Sequence, residues 1–110
     1  MRALVQRVAR AAVTIEGAER REIGAGLVVL LGVSTEDTPG LCPKLAQKVA
    51  GLRIFDDADG KLNLSAAQLG LEALVVSQFT LYGDARKGKR PAFTAAAKPP
   101  RSVDCYEAFV

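Results

Sequence analysis

Ser77, Gln78, Phe79 and Thr80 follow the apolar run Leu74-Val75-Val76, so that a hydroxyl, a primary amide, a ring and a second hydroxyl occupy four consecutive positions. Polar side chains at the end of a buried strand supply the donors and acceptors from which a small binding pocket is made. Shortly behind them comes Arg86-Lys87-Gly88-Lys89-Arg90-Pro91, a cluster of cations suited to a polyanion. From Ala85 to Val103 the basic residues Arg86, Lys87, Lys89, Arg90, Lys98 and Arg101 meet no acid, and the remainder of the chain carries a slight acidic excess. The charge points to RNA or DNA before a membrane; a solvated loop that only aids solubility is the plainer reading of the same residues.

What the sequence lacks narrows the chemistry. There is no histidine, which rules out Ser-His-Asp and Cys-His nucleophile systems within the chain. Cys42 and Cys105 lie far apart with no CxxC, so a thiol-imidazole zinc site has nothing to be built from, and two reduced, partly buried thiols are expected. The carboxylates of Asp56-Asp57-Ala58-Asp59-Gly60 fail as a calcium loop, because an EF-hand with its glycine at Gly60 would find Phe55 and Ala66 at ligand positions. No metal and no cofactor are expected.

These residues must be held by a small framework. At 110 residues the chain is read as one domain. Its apolar runs are too short to span a membrane, and the N-terminus lacks an apolar signal segment, so a cytoplasmic protein is expected. Leu4 to Ile15 reads as extended, with a bend near Arg10-Ala11-Ala12. Arg7 falls on a face of otherwise small apolar residues, either as an exposed strand arginine or as a clamp for a carbonyl or phosphate. Glu16-Gly17-Ala18-Glu19-Arg20 signals a hairpin turn, with a short strand near Glu22-Ile23. Gly26 to Val33 is a continuous apolar run expected to form a central strand buried on both faces.

Asp37-Thr38-Pro39 opens the one long helix, with Leu41, Leu45, Val49 and Leu52 on its packed stripe and Lys44, Gln47 and Lys48 on its solvated side. Ala58-Asp59-Gly60 is a turn. In the strand Glu72 to Thr80, alternation puts Ala73, Val75, Ser77 and Phe79 on one face and Leu74, Val76, Gln78 and Thr80 on the other. Ser77 and Thr80 therefore cannot share a pocket in an unbroken strand. A site here requires the strand to bulge or end near Gln78-Phe79, which frees backbone N–H groups for a ligand. Phe93 to Ala97 suggests a helical turn or two stopped by Pro99-Pro100. Ser102 is placed to cap a final helix with Val103, Tyr106, Phe109 and Val110 along one side.

Ser77-Gln78-Phe79-Thr80-Leu81, Lys87-Gly88-Lys89-Arg90-Pro91-Ala92-Phe93 and Ala95-Ala96-Ala97 resemble the D-aminoacyl-tRNA deacylase family. Met1 to Val8, Gly26 to Val33, Leu52 to Asp56 and Asn63-Leu64-Ser65 continue the likeness over essentially the whole chain. The resemblance implies an α/β domain, mainly antiparallel and barrel-like, with one long packed helix and shorter C-terminal helices. It implies a homodimer that hydrolyses the ester between a D-amino acid and the 3′-terminal adenosine of tRNA and that also removes mischarged glycine. Ser77, Gln78, Phe79 and Thr80 carry the family's first motif. Its second motif, a C-terminal segment with a cis-proline after glycine, has no counterpart in these residues, and the chain is expected to be shortened relative to the family.

On this likeness the oxyanion-stabilising N–H groups are those of Phe79 and Thr80, while Ser77 and Gln78 order the adenosine or the site's backbone. The 2′-hydroxyl of the adenosine assists the attacking water. Arg7 matches the arginine that holds the cis-proline segment, and without that partner it is expected to be exposed or paired elsewhere. Lys87, Lys89, Arg90 and Phe93 are the remaining substrate contacts, with aminoacyl-tRNA as the partner and neither DNA nor a membrane expected. Thr80 as a covalent nucleophile is the rival mechanism, and it lacks an adjacent base. The rival functions are a non-catalytic RNA-binding module, with Phe79, Tyr82 or Phe93 as stacking surfaces, and an inactive shortened homologue.

Overall fold

The computed structural model describes residues 1–16 and 19–110. Its elements are β1 (Arg2–Val8), β2 (Ala11–Ile15), β3 (Glu19–Ile23), β4 (Gly26–Gly32), α1 (Cys42–Ala50), β5 (Phe55–Asp56), β6 (Leu62–Leu64), α2 (Ala66–Leu69), β7 (Glu72–Ser77) and α3 (Arg101–Phe109). Two 3₁₀ turns, Pro39–Leu41 and Phe79–Tyr82, complete the set. Strands β1, β4 and β7 form a three-stranded sheet with β4 in the middle, while β2 with β3 and β5 with β6 make antiparallel pairs. The α/β class and the antiparallel pairings are as expected, with the strands distributed over three sheets. Helix α3, at nine residues, is as long as α1.

Two compact units make up the fold, one from Met1–Leu4, Leu30–Ala46 and Val76–Val110, the other from Val5–Val29 and Gln47–Val75. In the second, β1 stops at Val8 and β2 starts at Ala11, which is the break that the sequence placed near Arg10. Strands β2 and β3 pair from Ala11 opposite Ile23 to Ile15 opposite Glu19, so β3 begins earlier than the short strand expected near Glu22. Of the turn read at Glu16 to Arg20, Gly17 and Ala18 lie outside the described residues. Between β5 and β6 the Asp57 carboxylate accepts the backbone N–H groups of Asp59 at 2.9 Å and Lys61 at 3.1 Å, and Gly60 takes φ +74°, as its place in a tight turn requires. Ser65 and Gln68 form a reciprocal capping box at the start of α2. Gly26 has no room for a side chain, since a Cβ there would collide with the carbonyl of Glu72.

The first unit is organised by the way the chain leaves β4. Leu31 and Val33 are buried, continuing the apolar run that makes β4 a central strand. Pro39 opens the 3₁₀ turn from Thr38, but Thr38 makes no side-chain cap. Asp37 does not cap either: its carboxylate takes the Met1 ammonium at 2.6 Å and the Ser34 N–H at 2.7 Å. The packed stripe of α1 includes Cys42, Leu45 and Val49, whereas Leu41, expected on it, belongs to the preceding turn and is exposed. Helix α3 packs against that turn. Its buried residues are Cys105 and Phe109, with Val103 and Val110 exposed, a correction to the expected stripe. The true spacing runs through a cysteine, which behaves as a small apolar residue. Cys42 and Cys105 are both free and buried, and burial together with the neighbouring Cys105 thiol pushes the Cys42 thiol up to about 11.

Candidate active site at the end of β7

β7 is a regular strand only to Ser77. Gln78 keeps extended angles, its N–H donating to the Leu31 carbonyl at 2.8 Å, and the chain then winds into the 3₁₀ turn Phe79–Tyr82. Of the bulge or end near Gln78-Phe79 that a site here calls for, the structure has the end. Within the turn Leu81 N–H donates to Gln78 O at 3.4 Å and Gly83 N–H to Thr80 O at 3.0 Å. The N–H groups of Phe79 and Thr80 open the turn, and opening N–H groups have no acceptor within a helical turn of their own. Gln78 offers them no side-chain cap. Phe79 and Thr80 are both exposed.

Phe79 is 56% exposed, and its ring meets Phe93 edge to face, with centroids 5.2 Å apart. Together with Ser77 the two rings form one side of an open groove of about 360 Å³, which Ala96, Ala97, Lys98 and Ser102 help to line. The alanines arrive by main-chain pairing. Ala97 N–H donates to Val33 O at 2.8 Å, and Thr35 N–H donates to Ala95 O at 3.0 Å. Phe93 to Ala97 is therefore a turn and a bridged segment, where helix was expected. Alanine's helical preference amounts to a few tenths of a kcal/mol per residue, and pairing to the strand exit overrides it. The end of β4 and the residue beyond it thus anchor both segments, Gln78 through Leu31 and Ala97 through Val33.

Ser102 was expected to cap the last helix. The residue at that position is Pro100, without a side-chain cap, and α3 starts at Arg101. Ser102 sits in the first turn, half-buried on the groove. Lys98 and Ser102 are lining residues that sequence reasoning does not single out. Lys98 reads there only as one charge of a basic stretch, and the cap-like position of Ser102 hides its other use.

The basic segment lies elsewhere. Main-chain hydrogen bonds between Asp84 and Ala92 close a loop over residues 84–92. Lys87 and Arg90 line a hollow there with Asp84, Arg86 and Thr94, and all of Lys87, Lys89 and Arg90 are exposed. None of the three lines the groove; Phe93 does. Asp84, one residue before the acid-free stretch, forks onto the Arg86 guanidinium at 2.6–3.0 Å and offsets its charge. The Arg86 side-chain hydrogen bond holds the Asp84 carboxyl down to about 2.

Arg7 belongs to the second unit, where its guanidinium donates to Ile54 O at 3.0 Å and approaches Asp56 at 3.4 Å. Its side chain is 46% exposed, the alternatively paired arginine that was expected. Among the described residues no cluster of His, Cys, Asp or Glu could hold a metal ion, and no helix is long and apolar enough to cross a membrane.

A family model described as D-Tyr-tRNA(Tyr) deacylase matches residues 4–110. The chain belongs to that family. A D-aminoacyl-tRNA deacylase of Koribacter versatilis is 56% identical over 110 residues, all of this chain and 74% of its own length. One of Desulforudis audaxviator is 57% identical over the same spans. A solved structure described as c-Myc DNA Unwinding Element Binding Protein superposes with a TM-score of 0.88 at 41% identity, covering 99% of this chain and 73% of that one. The deacylase family and its fold, anticipated from the motifs, are those of this chain.

Proposed function

We propose that the chain hydrolyses the ester of D-aminoacyl-tRNA, using the main chain at Phe79 and Thr80 as its oxyanion site. The observation that carries the assignment is the end of β7 at Ser77, followed by a 3₁₀ turn that opens beside an apolar groove. Water attacks the ester carbonyl, the developing oxyanion takes hydrogen bonds from the two N–H groups, and the bond to the 3′-oxygen of the terminal adenosine breaks. The proton lost by water passes to that leaving oxygen with the adjacent 2′-hydroxyl as acceptor and donor. Free D-amino acid and tRNA leave.

Each such N–H contributes about 3 kcal/mol to the transition state. An ester is already activated, so this suffices without a histidine. Phe79 and Phe93 supply a surface for a ring of the substrate, Ser77 orders the adenosine, and Gln78 holds the turn through its N–H. Lys87, Lys89 and Arg90 contact tRNA phosphates beyond the groove. Mischarged Gly-tRNA fits the same chemistry. Homodimerisation and a cytoplasmic location, where charged tRNA is found, complete the proposal; Leu4, 56% exposed, is apolar surface that a second copy would cover.

Incubation with D-Tyr-tRNA and L-Tyr-tRNA tests the reading. Release of tyrosine from the D-ester is the expected result. Tight tRNA binding with neither ester cleaved would replace it with a binding module.

A further inference from the structure

The structure assigns Arg2 as the residue that fastens the 3₁₀ turn from its far end and so positions the N–H groups of Phe79 and Thr80. The role in catalysis rests on the hydrolase reading. The Arg2 guanidinium donates to the Leu81 carbonyl at 2.8 Å and stacks over the Tyr82 ring at 4.5 Å from its centroid. Both contacts fall in the last two residues of a four-residue turn. The closing carbonyls of such a turn carry partial negative charge, and a cation there stabilises the wound state. A planar guanidinium can donate at its edge while its face covers an aromatic ring, which an ammonium does less well.

At that end the Tyr82 side chain also hydrogen-bonds with Ser34, a contact that holds the ring but not the Leu81 carbonyl. Gly32 lets the turn lie against the strand exit: a Cβ there would stand 3.1 Å from the Leu81 Cβ and 3.2 Å from the Gln78 carbonyl oxygen and Tyr82 Cδ2. The glycine permits close approach but supplies no attraction of its own. Leu81 N–H to Gln78 O is long at 3.4 Å. Without Arg2 the turn has one good internal bond, Gly83 N–H to Thr80 O, and a loosened turn spreads the two opening N–H groups away from a common acceptor.

Arg2→Ala and Arg2→Lys in the full chain test this by two readouts. Amide hydrogen exchange at Gly83 should speed up at least about tenfold in Arg2→Ala, with Ala97 unchanged as the control for the rest of the unit. In deacylation of D-Tyr-tRNA, kcat should fall about tenfold while KM stays within about twofold, and Arg2→Lys should recover a substantial part of both effects. Unchanged exchange at Gly83, or equal acceleration at Gly83 and Ala97, overturns the assignment whatever the activity. Faster exchange at Gly83 with unchanged kcat overturns the link from turn to catalysis. If the unmodified chain cleaves neither ester, the exchange result still decides whether Arg2 fastens the turn, and only the hydrolase reading fails.

Discussion

Phe79 and Phe93 meet edge to face across fourteen positions of sequence, ring planes at 73°. One belongs to the segment that carries the proposed oxyanion donors and the other to the stretch behind the basic loop. The contact makes a single wall from two motifs. An aromatic pair of this geometry contributes about 0.5–1.5 kcal/mol beyond its buried area.

Phe93→Ala should therefore raise KM for D-Tyr-tRNA by about tenfold, a change of roughly 1.4 kcal/mol, with a smaller effect on kcat. Phe93→Leu, which keeps bulk but not the ring, should fall between. Steady-state deacylation alongside a thermal melt separates loss of the wall from loss of the fold.

Thr80→Ala should retain turnover within about tenfold of the parent, because the alanine keeps the N–H and loses only the hydroxyl. Acid quenching of the reaction should trap no acyl-enzyme. Complete loss of activity, or a covalent adduct seen by intact mass, would favour the threonine nucleophile.

Lys87→Glu with Lys89→Glu should weaken binding to different tRNAs alike. The slope of log K against log salt should shrink by roughly 0.7–0.9 for each phosphate left without its cation. Fluorescence anisotropy with tRNA across a salt series, with single-stranded DNA as competitor, reads both how many phosphates the loop neutralises and its preference for RNA.

Asp37 predicts an acid sensitivity. Burial, the largest single influence, pushes its carboxyl up, but the Met1 ammonium and the Ser34 N–H together outweigh it and the folded value lies below 3.8. A lowered folded value means that the stabilisation is complete above the ordinary carboxylate range and is lost as pH falls through the depressed value. Urea midpoints at pH 7 and pH 3 should show a larger drop for the parent than for Asp37→Asn, which should be the less stable of the two at pH 7.

Much of the fold is legible from periodicity, and the rest is decided by tertiary pairing. The glycine-bounded run at Gly26 to Val33 reads as a buried central strand, and alternation at Ser77 to Thr80 means that a site there needs a bulge or an end near Gln78-Phe79. The family motifs led to the fold directly. What misleads is local propensity. Ala95-Ala96-Ala97 reads as helix until Val33 and Thr35 claim its main chain. Ser102 reads as a cap until Pro100 takes that position. Asp84 lies just outside the acid-free window yet forks onto Arg86, and nothing in a charge count marks which of six cations has a partner. The line between the groove and the basic hollow was likewise out of reach, since it depends on where the loop closed by Asp84 and Ala92 folds.

The short turn from Phe79 to Tyr82 has a bearing on inheritance. Its proposed working groups are main-chain N–H groups, which every residue type but proline supplies. A codon change can alter the rings and hydroxyls that dress the turn, and nearly all such changes leave the donors standing. Damage to this site is then expected to come from substitutions that unwind it at a distance, and surveys confined to its own side chains would pass over them.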